Sequence, residues 1–81
     1  MKALITGITG FAGTHLAEHL LECGDEVLGC SGSGRWNDTT PADLPKQLRL
    51  LRWDVAAKPA DHLQQKIADF APDVVYHLAG V

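Results

Sequence analysis

Basic residues, cysteines and long apolar runs are all scarce in this sequence. Seven Lys and Arg residues stand against ten Asp and Glu, which gives a formal net charge of −3. Nucleic-acid binding needs many Lys and Arg on one face to neutralise phosphates, so no nucleic-acid partner is expected. The longest apolar run, near residues 74–81, is interrupted by His77 and is too short to cross a bilayer, so no membrane span is expected.

Only two cysteines are present, and no segment resembles a secretory leader. Cys23 and Cys30 both lie in apolar stretches, which favours small buried hydrophobes over a redox pair or a disulfide framework. No apolar segment of leader length follows Lys2. These features predict a cytoplasmic protein, and 81 residues with a hydrophobic content of 46% predict one globular domain over 1–81.

Short apolar segments alternate with amphipathic ones along the chain. The four predicted strands are Lys2–Thr6, Glu26–Cys30, Leu48–Trp53 and Val74–Leu78. A first helix is predicted around His15–Cys23, with Gly24 as a left-handed cap, and a second helix between Pro59 and Pro72. The stretch from 31 to about 47 is rich in Gly, Pro, Ser and Thr and predicts a long polar loop.

This order of segments predicts an α/β fold, with a parallel sheet in strand order 3-2-1-4 and flanking helices. In a complete doubly wound sheet the fourth strand would have a further neighbour. Here Val74, Val75 and Leu78 would lie on an open edge, and open apolar edges recruit other chains. Self-association through the edge of the fourth strand is therefore expected.

Three glycines at a spacing of three follow the first predicted strand and precede the first helix. Gly7 would let the chain turn out of the strand, Gly10 would let a pyrophosphate approach the backbone, and Gly13 would let the helix pack closely on the sheet. The N–H groups from Thr9 to Ala12 would point at the phosphates, where the helix dipole adds favourable charge. The position of the motif between strand and helix indicates a dinucleotide site.

At these residues the sequence resembles the extended short-chain dehydrogenase/reductases, which are NAD(P)-dependent nucleotide-sugar epimerases and dehydratases. The resemblance is carried by Lys2–Glu22, by Trp53-Asp54-Val55 and by Val74–Gly80. It implies a Rossmann-type fold, of which this chain would be the truncated N-terminal half. It also implies hydride (oxidoreductase) chemistry on a nucleotide sugar, in a full-length form only.

The resemblance assigns roles to individual residues. It implies that backbone around Thr9, Gly10, Phe11 and Ala12 holds the pyrophosphate and that Asp54 accepts from the adenine amino group, with Val55 beside the ring. It further implies that the channel for the ribose and pyrophosphate is lined by Leu78, Ala79 and Gly80. For Asp54 the alternative is a helix or turn cap.

The choice of cofactor depends on the end of the second strand. NAD-preferring folds place an acidic residue about 20 residues beyond the glycines to bind the ribose 2′-hydroxyl. Here the segment from Cys30 to Arg35 has no carboxylate, and Ser31 and Arg35 suit a 2′-phosphate better, because Arg makes bidentate contacts to phosphate. NADP is therefore favoured over NAD, although Arg35 as a solvated loop residue is the alternative.

The histidines do not predict a metal site. The segment from His15 to His19 matches H-x-x-E-H, but a catalytic zinc needs a third protein ligand and the helix is already explained by the glycine motif. His77 is expected in the core or lining a pocket, and His62 on the surface. Trp36 and Trp53 are expected to pack rather than to contact adenine.

No catalytic residue is predicted within the chain. The resemblance implies catalysis by a Ser/Thr and a Tyr-x-x-x-Lys pair well downstream of the fourth strand, whereas the only tyrosine, Tyr76, lies in a predicted strand with no lysine after it. The chain alone is therefore expected to be inactive. The hypotheses are the cofactor-binding portion of a nucleotide-sugar epimerase, dehydratase or reductase, and a non-enzymatic dinucleotide-binding or redox-sensing module.

Overall fold

The computed structural model describes residues 1–36, 40–53 and 61–78. The elements in chain order are β1 (Lys2–Thr6), α1 (Phe11–Glu22), β2 (Glu26–Ser31), α2 (Leu44–Gln47), β3 (Arg49–Arg52), α3 (Asp61–Phe70) and β4 (Val74–His77). Four of the predicted site residues, Asp54, Val55, Ala79 and Gly80, lie outside the described residues.

The four strands form one parallel sheet in the order β3-β2-β1-β4, which confirms the predicted topology. Thr6, at the carboxyl end of β1, lies between Cys30 of β2 and His77 of β4. At the same edge Ser31 of β2 is the register partner of Arg52 of β3. The glycine motif therefore leaves the sheet at a central strand, with β2 and β4 on either side of it.

Side chains of β1 alternate between two apolar layers, one on each face of the sheet. Ala3 and Ile5 join the layer under α1, while Leu4 joins the layer under α3. The α1 layer also contains Ile8, Ala17, Leu20, Val27 and Leu44. The α3 layer also contains Leu28, Cys30, Leu51 and Leu63. Because both faces of β1 are covered, its residues are apolar without alternation, as in other buried parallel strands.

Local signals account for the ends of the helices. Gly24 takes a left-handed φ of 86°, and the N–H of Asp25 donates to the carbonyl of Leu20, so α1 ends in the predicted glycine cap. The α3 helix ends at Phe70 because Ala71 turns to a φ of 52° ahead of Pro72. No helix within the described ranges is long and apolar enough to cross a membrane.

Several predicted boundaries and environments were wrong. The α1 helix begins at Phe11, because Gly10 already has the extended backbone of an N-cap. The polar loop contains the short helix α2, whose Leu44 is buried in the α1 layer. Cys23 is exposed at the end of α1 rather than buried, whereas Cys30 is buried as predicted. Trp36 and Trp53 both pack against the core, as predicted.

Candidate functional site

The glycine motif forms a tight turn at the carboxyl edge of the sheet. Gly7 has a φ of 69°, a conformation that side chains disfavour, and its carbonyl accepts from the N–H of Gly10 at 3.2 Å. The hydroxyl of Thr14 donates to the carbonyl of Ile8 at 3.1 Å and ties the turn to α1. The turn is therefore held by its own hydrogen bonds.

The third glycine of the motif permits the closest contact between α1 and the turn. A Cβ atom at Gly13 would lie 2.5 Å from the carbonyl oxygen of Gly7 and 2.7 Å from Cα of Ile8. These neighbours are backbone atoms of the turn, which cannot rotate away as a flexible side chain would. A larger residue at position 13 would therefore displace α1 from the turn. Gly10 differs, because its Cβ would meet only the Gly7 carbonyl, at 3.4 Å.

The first turn of α1 presents backbone donors without a cap. Gly10 is the N-cap and supplies no side-chain hydrogen bond, and no acidic residue lies in the first turn. The N–H groups of Phe11 and Ala12 therefore have no partner within the helix, and both residues are exposed. Together with the helix dipole, these donors form a site that favours an anion.

A cavity of about 500 Å³ adjoins this turn. Its lining includes Thr9, Gly10 and Phe11 at the turn, His15 and Glu18 further along α1, and Pro41. The Phe11 side chain is 84% exposed, and its ring meets the edge of the His15 ring at a centroid distance of 4.4 Å. An exposed aromatic ring beside uncapped donors offers both apolar contact and hydrogen bonds to a ligand.

The end of β2 turns back on itself through its own hydroxyls. Ser31 is buried, and its Oγ accepts from the N–H of Gly34 at 2.9 Å. Ser33 Oγ accepts from the N–H of Arg35 at 3.2 Å. The Arg35 side chain is exposed. The hydroxyl of Ser31 therefore helps to fix the conformation of the loop. Of the two residues predicted to bind a 2′-phosphate, Ser31 and Arg35, only Arg35 is exposed to solvent.

A hydrogen bond between β1 and β4 was missed by the sequence analysis. Oγ1 of Thr6 lies 2.8 Å from Nδ1 of His77, and the N–H of Leu78 donates to the carbonyl of Thr6 at 3.1 Å. His77 is exposed rather than buried in the core, because it lies on the edge strand of the sheet. The strand order together with the two strand ends would have placed Thr6 beside His77, but nothing in the sequence indicated that they bond.

The structure thus brings the glycine-motif residues Gly7, Thr9, Gly10, Phe11, Ala12 and Gly13 to one edge of the sheet. Leu78 lies at the same edge directly after β4, and Ser31 and Arg35 lie there at and just beyond the end of β2. Within the described ranges, no group of three or more His, Cys, Asp and Glu side chains could hold a metal ion. His19 instead lies 3.8 Å from the thiol of Cys23, one helical turn further along α1.

A parallel sheet in the order 3-2-1-4 with a glycine turn between its central strand and a helix defines a Rossmann-type fold. The sequence profile of the GDP-mannose 4,6 dehydratase family matches residues 4–81, and the chain belongs to this family of nucleotide-sugar epimerases and dehydratases. A UDP-glucose 4-epimerase of Mycolicibacterium smegmatis is 35% identical over 81 residues. The match covers 98% of this chain and 25% of that protein.

Solved structures show the same likeness. WbmH of Bordetella bronchiseptica, crystallised in complex with NAD⁺, is 38% identical with a TM-score of 0.72, covering 99% of this chain and 26% of that one. The UDP-glucose 4-epimerase of Thermus thermophilus, crystallised with NAD, is 30% identical with a TM-score of 0.74, covering 100% of this chain and 24% of that one. The chain thus spans about a quarter of the length of the relatives it matches.

Proposed function

We propose that this chain binds a nicotinamide dinucleotide at the carboxyl edge of its sheet, with the pyrophosphate on the glycine turn. The observation that carries the proposal is the uncapped first turn of α1, where the N–H groups of Phe11 and Ala12 lie beside a Gly10 that has no side chain. The N–H of Gly10 donates to the carbonyl of Gly7, so the phosphates would be bonded by the N–H groups of the first turn of α1. The relatives crystallised with NAD support the same ligand class.

The ligand we propose is NADP rather than NAD. From Cys30 to Trp36 the chain has no carboxylate to accept a hydrogen bond from the ribose 2′-hydroxyl. It has instead the exposed guanidinium of Arg35, held on a loop that Ser31 and Ser33 fix by hydrogen bonds. A guanidinium pairs with a phosphate through charge-assisted, often bidentate bonds. The proposal of NADP rests on the residues of the chain's own loop and goes beyond the NAD-bound relatives, which support a nicotinamide dinucleotide.

The activity we propose is that of a nucleotide-sugar epimerase, dehydratase or reductase to which these residues contribute the cofactor site. The dinucleotide, when bound, supplies hydride transfer at a sugar carbon. Residues 1–81 contain no Tyr-x-x-x-Lys, and Tyr76 lies within β4 with its neighbours in the sheet. The 81 residues alone are therefore expected to bind without turning over a nucleotide sugar.

The test is calorimetric titration of the 81-residue chain with NADP⁺ and NAD⁺, repeated on Gly10→Asn. An asparagine at this N-cap would bond the free N–H groups of the first turn, so the variant is expected to fold at least as stably as the parent while competing with the phosphates. We expect saturable binding by the parent and its loss in Gly10→Asn.

Gly24→Asn is the matched control, because it makes the same exchange at the other end of α1, where asparagine tolerates a positive φ. Its binding should equal that of the parent. Absence of binding by the parent, or binding by Gly10→Asn at parental affinity, would contradict the proposed site.

A further inference from the structure

Arg52 lies at the site where the sheet edge meets the loop that follows β2. It is the last residue of β3 and the register partner of Ser31. Register partners on neighbouring strands project to the same face. Leu50, two residues earlier, packs in the α1 layer, so Arg52 leaves the sheet on the face that carries α1 and the glycine turn.

The loop after β2 packs directly on this arginine. Gly34 has a φ of 69°, and a Cβ atom at Gly34 would lie 2.8 Å from Cβ of Arg52. Arg35 is the next residue after Gly34, so its Cα is one residue along the chain from the contact between Gly34 and Arg52. Two exposed arginines therefore flank the loop at the end of β2, one on the loop itself and one on the neighbouring strand.

The surroundings of Arg52 are basic although the chain as a whole is acidic. An open cavity of about 340 Å³ runs along the edge strand β3 and is lined from both of its faces, by Gly34 and Arg52 beside the loop and by Arg49, His62 and Lys66 on the side of α3. Three of the seven Lys and Arg residues in the sequence thus line it, and the lining residues that the structure describes include no carboxylate. Within ranges 1–36, 40–53 and 61–78, neither Arg35 nor Arg52 forms an ion pair.

We propose that Arg52 is a specificity-determining residue that, with Arg35, holds the 2′-phosphate of NADP between two guanidinium groups. This inference rests on the proposed dinucleotide site, in which the adenosine ribose lies at the end of β2. A phosphate there would be bonded by Arg35 from the loop and by Arg52 from the next strand. A 2′-hydroxyl carries no charge for the pair to bind, so Arg52 contributes to NADP affinity and not to NAD affinity.

Arg49 provides a matched control on the same strand. It is the same residue type and also exposed, but it lines the cavity from the side of α3, away from the loop that follows β2. It lies three residues earlier, about 10 Å along the strand at ~3.3 Å per residue. Its partner Leu28 packs in the α3 layer, so Arg49 leaves the opposite face of the sheet. Arg49→Ala and Arg52→Ala therefore each remove one positive charge, but from opposite faces of the sheet.

The experiment compares the affinities of the 81-residue chain and these variants for NADP⁺ and NAD⁺ by calorimetry. Arg52→Ala is expected to lower NADP⁺ affinity by about 10-fold or more, the loss of one charge-assisted contact, and to leave NAD⁺ affinity unchanged. Arg49→Ala should leave both affinities unchanged. Arg52→Lys should recover part of the loss, because it restores the charge without the planar pair of donors.

Phosphorus NMR of bound NADP⁺ gives a second readout. A phosphate monoester has a second pKa of about 6, and two guanidiniums beside it would lower that pKa by favouring the dianion. The pKa of the bound 2′-phosphate should rise in Arg52→Ala and not in Arg49→Ala. A merely structural role for Arg52 would not move this resonance selectively.

The outcomes separate the two proposals. If the parent chain binds neither dinucleotide, the proposed function fails and this inference fails with it. If the parent binds both but Arg52→Ala keeps the parental ratio of affinities, the dinucleotide site stands and the role of Arg52 is overturned. An equal fall in NAD⁺ and NADP⁺ affinity would also overturn it, because the effect would then be one of folding.

Discussion

At the scale of single residues, Cys30 shows how the core sets the chemistry of a side chain. It is 1% exposed at the end of β2, and burial raises the pKa of its thiol from 9.0 to about 11. The thiolate is the reactive form, so this cysteine is a packing residue and not a nucleophile at neutral pH. The exposed Cys23 is accordingly the thiol that modifying reagents reach first.

The raised pKa of Cys30 predicts a loss of stability at alkaline pH. Above pH 9 the unfolded chain releases the thiol proton, whereas the folded chain retains it up to about pH 11. The free energy of unfolding therefore falls as the pH rises through this window and is unaffected below it. Denaturation at pH 8 and pH 10.5 should show a larger fall for the parent than for Cys30→Ala. Cys23→Ala should behave like the parent; equal falls in parent and Cys30→Ala would refute the effect.

At the scale of the elements, β4 is attached to β1 at both ends. The side chain of Asp73 accepts from the N–H of Lys2 at 2.8 Å on one side, and Thr6 meets His77 at 2.8 Å on the other. The second bond lies beside the glycine turn. The pairing of these two strands therefore also fixes the edge on which the proposed ligand would lie.

Loss of the bond between Thr6 and His77 should loosen β4. Thr6→Val removes the hydroxyl with little change in volume and is expected to cost about 1 kcal/mol of folding free energy, together with faster amide exchange in β4. Thr6→Ser keeps the hydroxyl and should retain the slow exchange, which separates the bond from the packing of the methyl group. Exchange rates in β4 that match the parent in Thr6→Val would show that the bond contributes nothing to the pairing.

Much of this arrangement of elements follows from sequence patterns, because the decisive signals are local. The apolar run before Gly7, the cap at Gly24 and the stop before Pro72 each depend on neighbouring residues, and all three were predicted. The short α2 was not, since a single buried Leu44 in a polar stretch has no periodicity. Arg52 and the bond between Thr6 and His77 were also missed, because they depend on which strand ends lie side by side.

At the scale of the whole molecule, the sheet has one apolar edge without a neighbour among the described residues. Among the residues that the structure describes, β4 pairs with β1 alone, and Val75 is 53% exposed. Exposed strand edges pair with other chains. The 81-residue chain is therefore expected to self-associate, with a mass by light scattering that rises with concentration. Val75→Lys should keep it monomeric, and a parent that stays monomeric at high concentration would contradict this.

The position of β1 in the middle of the sheet has a consequence for synthesis of the chain on the ribosome. Lys2–Thr6 emerges before either of its neighbouring strands, and one of them, Val74–His77, emerges some 70 residues later. The glycine turn therefore cannot acquire its full set of neighbours while the intervening segment is being translated. Contacts between such distant segments form slowly and leave apolar strands open in the meantime. The pairing of β1 can therefore be completed only after Val74–His77 has been translated.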